Sequence, residues 1–204
     1  MPSFIHEQEL IHLYGADVAG VDEVGYGAWA GPVVVCAAVI HDLSSEILSM
    51  INDSKKLNKK QREEIYTLLI DNPGITFSIA ESSAQEVDAS NVLKATHDAM
   101  KRSLQNLNIK AVLVDGKNKP HIHLPCETII DGDSKSYSIA AASIIAKVTR
   151  DRFMEKIHQD YPHYAWDTNV GYGTKKHTQG LLEYGVTPFH RCSYKPILKI
   201  LNNT

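Results

Sequence analysis

The sequence predicts an α/β domain, a mixed β-sheet flanked by helices, with a C-terminal helical appendage lying against it. Three observations carry this. Two short segments rich in β-branched residues, 17–24 and 32–40, stand first and are separated by glycines and a proline, the pattern of a hairpin. Strand-like and helix-like stretches then alternate, which is how parallel strands are joined. From Tyr161 onward aromatics, glycines and prolines replace that alternation.

Each element follows from local chemistry. Asn58 precedes a segment in which Ile65, Leu68 and Leu69 share one helical face, and Pro73-Gly74 ends it. Residues 75–80 read as a strand. A helix follows in which Leu93, His97, Met100, Leu104 and Leu107 recur at three- and four-residue steps, so His97 reads as a core histidine rather than a ligand. Ala111 to Asp115 is a compact buried strand ending in a carboxylate. Residues 138–157 form a strong helix whose alanines and serine permit close packing on a sheet. Beyond Tyr161 only residues 178–184 read as helical. A chain of 204 residues suits one core, so the expected division is a main domain over 1–160 with an appendage over 161–204 packed on it.

Composition removes several function classes. At 43% hydrophobic and 22% charged, without low-complexity tracts, the chain is built to fold. No apolar run is long enough to span a bilayer and the first residues lack a secretory pattern, so a cytoplasmic protein without a membrane role is expected. Cys36, Cys126 and Cys192 are widely separated and read as free thiols. A net charge of −3 argues against general phosphate binding and leaves any nucleic-acid contact to local patches such as Lys55-Lys56. A monomer is the default expectation.

Four acids stand out by position: Asp22 and Glu23 at the end of the first strand, Asp115 at the end of another, and Asp133 in a turn before the long helix. Strand ends are where α/β sheets place chemistry. Carboxylates gathered there resist ionising together unless cations neutralise them, which suits oxygen-ligated magnesium or manganese. Each acid alone reads more readily as a surface residue or a helix cap, and Asp151 as a partner of its neighbouring arginines. Adjacent strand residues face opposite ways, so Glu23 needs a bend near Gly25 and Gly27 to join Asp22.

Val21-Asp22-Glu23-Val24-Gly25-Tyr26-Gly27, then Ala30-Gly31-Pro32-Val33-Val34, resembles the opening motif of ribonuclease HII. Asp53-Ser54-Lys55-Lys56-Leu57, Val114-Asp115-Gly116, Gly132-Asp133-Ser134-Lys135, the stretch from Ile139 to Asp151, Gly171-Tyr172-Gly173-Thr174 and His190-Arg191 follow in the family's order. The resemblance spans residues 17–197. It implies a ribonuclease H-like fold and a two-metal endonuclease, using Mg2+ or Mn2+, that cuts RNA–DNA hybrids or duplex DNA containing ribonucleotides. It also implies Asp22, Glu23, Asp115 and Asp133 as metal-binding catalytic residues; of these, Asp22 is our choice for the ligand shared between the ions. Substrate contacts fall to Gly25, Tyr26, Gly27, Lys55, Lys56, Tyr172 and Arg191. Lys147 and Arg191 serve either phosphate or structural pairing.

One departure stands in that pattern. The family usually carries Gly-Arg-Gly where this chain has Gly25-Tyr26-Gly27, so a charged, forked phosphate contact is replaced by a ring able to stack, donate one hydrogen bond, or pack beside Trp29. A catalytically weakened binding module and a phosphohydrolase of small esters are the rival readings. Nothing in the sequence requires His177 or His190 to approach the site.

Overall fold

The computed structural model describes residues 1–15, 17–51 and 57–202. Its centre is a five-stranded sheet in the order β3-β2-β1-β4-β5. The strands are β1 (Val18–Val24), β2 (Val33–Ile40), β3 (Ile75–Ser82), β4 (Ala111–Asp115) and β5 (Cys126–Ile129). β1, β2 and β3 pair antiparallel, whereas β4 and β5 add in parallel to β1, which gives the mixed sheet the sequence predicts.

Helices cover both faces. α1 (Ile5–Tyr14) precedes the sheet, and α2 (Ser45–Met50) and α3 (Lys59–Ile70) lie between β2 and β3. α4 (Ala84–Ala89) and α5 (Val92–Leu104) follow β3, and α6 (Tyr137–Asp160) follows β5. One core layer joins Val21, Val35, Val112 and Val114 to Ala95, Ala99 and Met100 of α5. The other joins Val34, Cys36 and Ala38 to Ala140, Ala141, Ile144 and Ile145 of α6. Alternation along each strand therefore decides which helix a side chain meets.

α6 is buried along most of its length because small residues let it approach the sheet. The close point is Gly20, where a Cβ would stand 2.2 Å from the Ser138 carbonyl carbon. The Ser136 hydroxyl caps the helix by accepting from the Ile139 amide, and Glu7 of α1 accepts from the Ser136 hydroxyl and from both the amide and hydroxyl of Ser138. The Asn58 cap of α3 closes as a reciprocal box with Gln61, an arrangement contributing about 1 kcal/mol.

Several expectations are corrected. α1 carries no strong amphipathic signal and was not foreseen; α2, α4 and β5 are too short to announce themselves. On α5 the buried face is Ala95, Thr96, Ala99, Met100, Ser103 and Leu104, while Leu93 is exposed and Leu107 lies past the helix end. Small residues hide that face from a search for large apolar ones. The last forty residues hold α7 (Trp166–Asn169), α8 (Lys175–Tyr184) and α9 (Lys195–Leu201), where one helix was expected. They pack on the end of α6 through Met154, Ile157, Tyr164, Trp166, Leu181 and Ile197. All three cysteines are free. Among the described residues no helix is long and apolar enough to cross a membrane.

Candidate active site

The parallel register pairs Val21 with Val114, so the next residues, Asp22 and Asp115, stand side by side at the ends of β1 and β4. Both lie on the α6 face, since the alternate positions Val21 and Val114 fill the α5 layer. Asp133 joins them from the turn Gly132–Ser134, which is tied to Asp115 by a 2.6 Å bond from the Gly132 amide to Asp115 Oδ1. Asp22 and Asp133 are buried. Asp133 is thus held in a packed turn.

Burial is the main force on Asp22, with the charges of Asp115 and then Asp133 adding to it. Bonds from the Ser143 hydroxyl and the Glu23 amide oppose it, and the balance pushes the carboxyl up to about 7. Such a group is poised to accept a cation, because a nearby positive charge favours its ionised form. The donors are all oxygen, which fits hard divalent ions such as Mg2+ or Mn2+. Among the described residues no three His, Cys, Asp or Glu side chains are already gathered closely enough to hold an ion.

Glu23 does not join by the expected bend. β1 stays paired through Val24 and Val34, so Glu23 leaves the sheet on the face opposite to Asp22, and the chain turns only at Gly25, φ 91°. Its charge acts on the phenol of Tyr26, whose pKa is raised first by burial, then by Tyr194, then by Glu23. Glu23 therefore stands at the rim between the acids and the glycine loop.

That loop is built from below by two buried arginines. Arg150 donates to the carbonyls of Pro32 (2.8 Å), Val170 (2.7 Å) and Ala30 (3.0 Å). It also fills the space beneath Gly25, where a Cβ would meet its Nε at 2.1 Å. Arg191 donates to the carbonyls of Gly31 and Tyr26 and to the Tyr194 hydroxyl. Of the two roles open to Arg191, phosphate contact is the wrong one: at 0% exposure its guanidinium is enclosed and satisfied by the loop it supports. Lys147 pairs at 2.8 Å with Asp151, which was expected to serve the neighbouring arginines instead.

Tyr26 and Tyr172 are the exposed aromatics of this surface. The Tyr172 ring edge lies beside Gly27, 3.9 Å from where a Cβ would be, and the Arg150 guanidinium is 5.8 Å from the ring centre. Lys55 and Lys56 lie outside the described residues. A cavity of about 420 Å³ lined by Phe4, Glu7, Asp17 and His41 sits at the other end of β1, away from the acids.

Residues 19–197 match the family model described as ribonuclease HII. The chain belongs to the ribonuclease HII family. Its curated relatives include ribonuclease HII of Ehrlichia ruminantium (strain Welgevonden), 48% identical over 98% of this chain and 97% of the relative. Ribonuclease HII of Anaplasma marginale (strain St. Maries) is 47% identical over 98% and 83% respectively. Among solved structures, ribonuclease H2 from Pyrococcus horikoshii OT3 superposes with a TM-score of 0.78 at 29% identity, covering 91% of this chain and 97% of that one. Bst-RNase HIII in complex with Mn2+ shares the fold, with a TM-score of 0.72 at 19% identity over 100% of this chain and 74% of that one.

Within this ribonuclease HII framework, sequence reasoning missed Ser143 and Arg150 as supports of the site. Ser143 had a visible signal, being the polar residue amid the small apolar ones of α6. Arg150 had none, because only the tertiary fold brings carbonyls from two distant loops to one guanidinium.

Proposed function

We propose that this chain is a divalent-metal-dependent endonuclease that hydrolyses the RNA strand of RNA–DNA hybrids and cuts on the 5′ side of ribonucleotides in duplex DNA. The products are a 3′-hydroxyl and a 5′-phosphate. The observation that carries this is Asp22 beside Asp115 on adjacent strand ends, with Asp133 tied to them, in a chain of the ribonuclease HII family.

Two ions, Mg2+ or Mn2+, supply when bound the positive charge that acidifies water and offsets the developing charge of the phosphodiester. The protein's part is placement. Asp22 is the shared ligand, its carboxylate oriented by Ser143 and the Glu23 amide. Asp115 would complete the set, Glu23 is assigned to it by the family motif alone because its strand position turns it to the opposite face, and Asp133 would either hold an ion or orient the attacking water.

Telling RNA from DNA requires contact with the 2′-hydroxyl. Tyr172 is assigned to the sugar, and the backbone of Gly25, Tyr26 and Gly27 to its close approach, supported by the exposure of Tyr26, Gly27 and Tyr172 and by the Tyr172 ring edge lying beside Gly27, while Gly25 is buried over Arg150. Lys55 and Lys56 are assigned by motif to backbone phosphates, contacts that position the duplex without reading it. The enzyme is proposed to work as a monomer in the cytoplasm.

The test is incubation in Mg2+ or Mn2+ with three duplexes: one containing a single ribonucleotide, one RNA–DNA hybrid and one plain DNA. Cleavage confined to the ribonucleotide and the hybrid is expected. Binding without cleavage, or hydrolysis of small phosphate esters alone, overturns the assignment.

A further inference from the structure

The appendage holds two buried histidines for which the proposed chemistry has no use. His177 and His190 are 0% and 2% exposed, and their Nε2 atoms face each other at 3.0 Å. Three neighbours of fixed hydrogen-bonding sense decide which nitrogens carry protons. The Trp166 indole can only donate, and it points at His177 Nε2 from 3.2 Å. The Tyr172 carbonyl can only accept, and it lies 3.0 Å from His177 Nδ1. The Thr187 amide can only donate, and it lies 2.9 Å from His190 Nδ1.

One arrangement of neutral rings satisfies all three. His177 carries its proton on Nδ1 and gives it to the Tyr172 carbonyl. His190 carries its proton on Nε2 and gives it to His177 Nε2, which also receives the Trp166 indole. Burial holds both rings below the ordinary imidazole pKa, and the neighbouring His177 adds to that effect at His190.

We propose that His190 and His177 form a relay that pins the Tyr172 carbonyl and so sets where the Tyr172 ring stands against the ribonucleotide sugar. Both are positioning residues, and the idea rests on the assignment of Tyr172 to the sugar. Each end of the relay is anchored to the substrate face. At one end the Tyr172 ring lies beside Gly27. At the other, His190 bridges Ala30, and the Arg191 amide donates to the Trp29 carbonyl at 2.8 Å. The two loops that present Tyr26 and Tyr172 are thereby joined through one buried node. Apolar side chains of equal volume would pack as well but would leave the Trp166 indole and the Thr187 amide without these acceptors, a cost directional histidines avoid.

Nitrogen-15 NMR of the imidazoles in the intact protein reads the relay without any substitution. Protonation at Nδ1 of His177 and Nε2 of His190 is expected, and the reverse tautomers overturn the proposal. His177→Leu removes the donor to Tyr172, whereas His177→Asn keeps an amide N–H near the Nδ1 position; both lose the acceptor for His190. His177→Leu should raise KM for a duplex with one ribonucleotide roughly 5- to 10-fold with kcat little changed, as expected for one lost hydrogen bond. His177→Asn should recover most of that loss. Equal KM changes in the two variants overturn the relay. An unchanged junction preference in Tyr172→Ala defeats the sugar assignment alone. The relay is then decided by the tautomers and by whether His177→Leu speeds amide exchange at residues 171–173.

Discussion

Arg191 donates from Nη1 to the main-chain carbonyl of Tyr26 at 2.9 Å, across 165 residues of sequence. The same guanidinium reaches the Gly31 carbonyl from Nε and Nη2, at 3.1 and 2.9 Å. One buried cation thus fixes both ends of the loop that carries the glycines. Lysine keeps the charge but cannot fork between two carbonyls. Arg191→Lys is expected to cost roughly 3 kcal/mol in urea denaturation, from charge-assisted bonds lost inside the protein. The salt dependence of substrate binding should stay as it is, because an enclosed arginine releases no counterion. A shallower slope in the variant would restore Arg191 to the phosphate-binding set.

Gly20 is where α6 touches the sheet. A methyl group there would lie 2.2 Å from the Ser138 carbonyl carbon and 2.3 Å from the Ile139 amide nitrogen, neither of which can rotate away. Gly20→Ala should destabilise by about 1 to 3 kcal/mol or more, read as a lower urea midpoint. Activity should fall further than stability does, since moving α6 withdraws Ser143 from Asp22. A variant with wild-type turnover would show that Ser143 need not be held so closely.

Asp22 links catalysis to stability. Its folded-state pKa, about 7, lies above the ordinary aspartate value of 3.8, so the folded protein holds this proton more tightly than the unfolded chain does. That contribution is complete below the unfolded value and is lost as pH rises through the folded one. Asp22→Asn, neutral throughout, should therefore melt progressively higher than the metal-free wild type between pH 4 and pH 7, and the difference should level off above that. Cleavage should be abolished, and Mn2+ should raise the melting temperature of the wild type more than that of the variant. Near-normal turnover by the variant in Mg2+, or a melting difference independent of pH, removes this account.

Tyr26 stands where relatives of the family usually carry arginine, on a loop whose backbone is supported from beneath by Arg191 and Tyr194. Restoring the charge by Tyr26→Arg leaves those supports in place, because they grip the carbonyl and not the ring. Substrate binding should tighten, and the slope of log affinity against log salt should steepen by about 0.9, the effect of one added phosphate contact on a B-form duplex. An identical slope would mean that position 26 does not face the phosphate backbone.

Local chemistry alone made much of this protein legible. The β-branched runs, the Asn58 cap and the alanine-rich stretch announce β1, β2, α3 and α6, because each depends on neighbours within a few residues. Asp22, Asp115 and Asp133 were visible as carboxylates at strand ends or turns, and their order with the glycine and tyrosine motifs pointed to a family. Glu23 shows the limit of such reasoning: whether a bend comes before or after it depends on how far β2 continues to pair, and pairing runs through Val24.

The acids, their strand-end positions and the kind of sheet that carries them were readable from the chain alone, since periodicity and glycine placement belong to it. That Arg191 and Arg150 hold loops from beneath, and that His177 and His190 meet nose to nose behind Tyr172, emerges in three dimensions. Burial makes the difference. A guanidinium or an imidazole looks the same in sequence whether it faces a phosphate or a carbonyl, and its role follows from which groups the fold encloses with it.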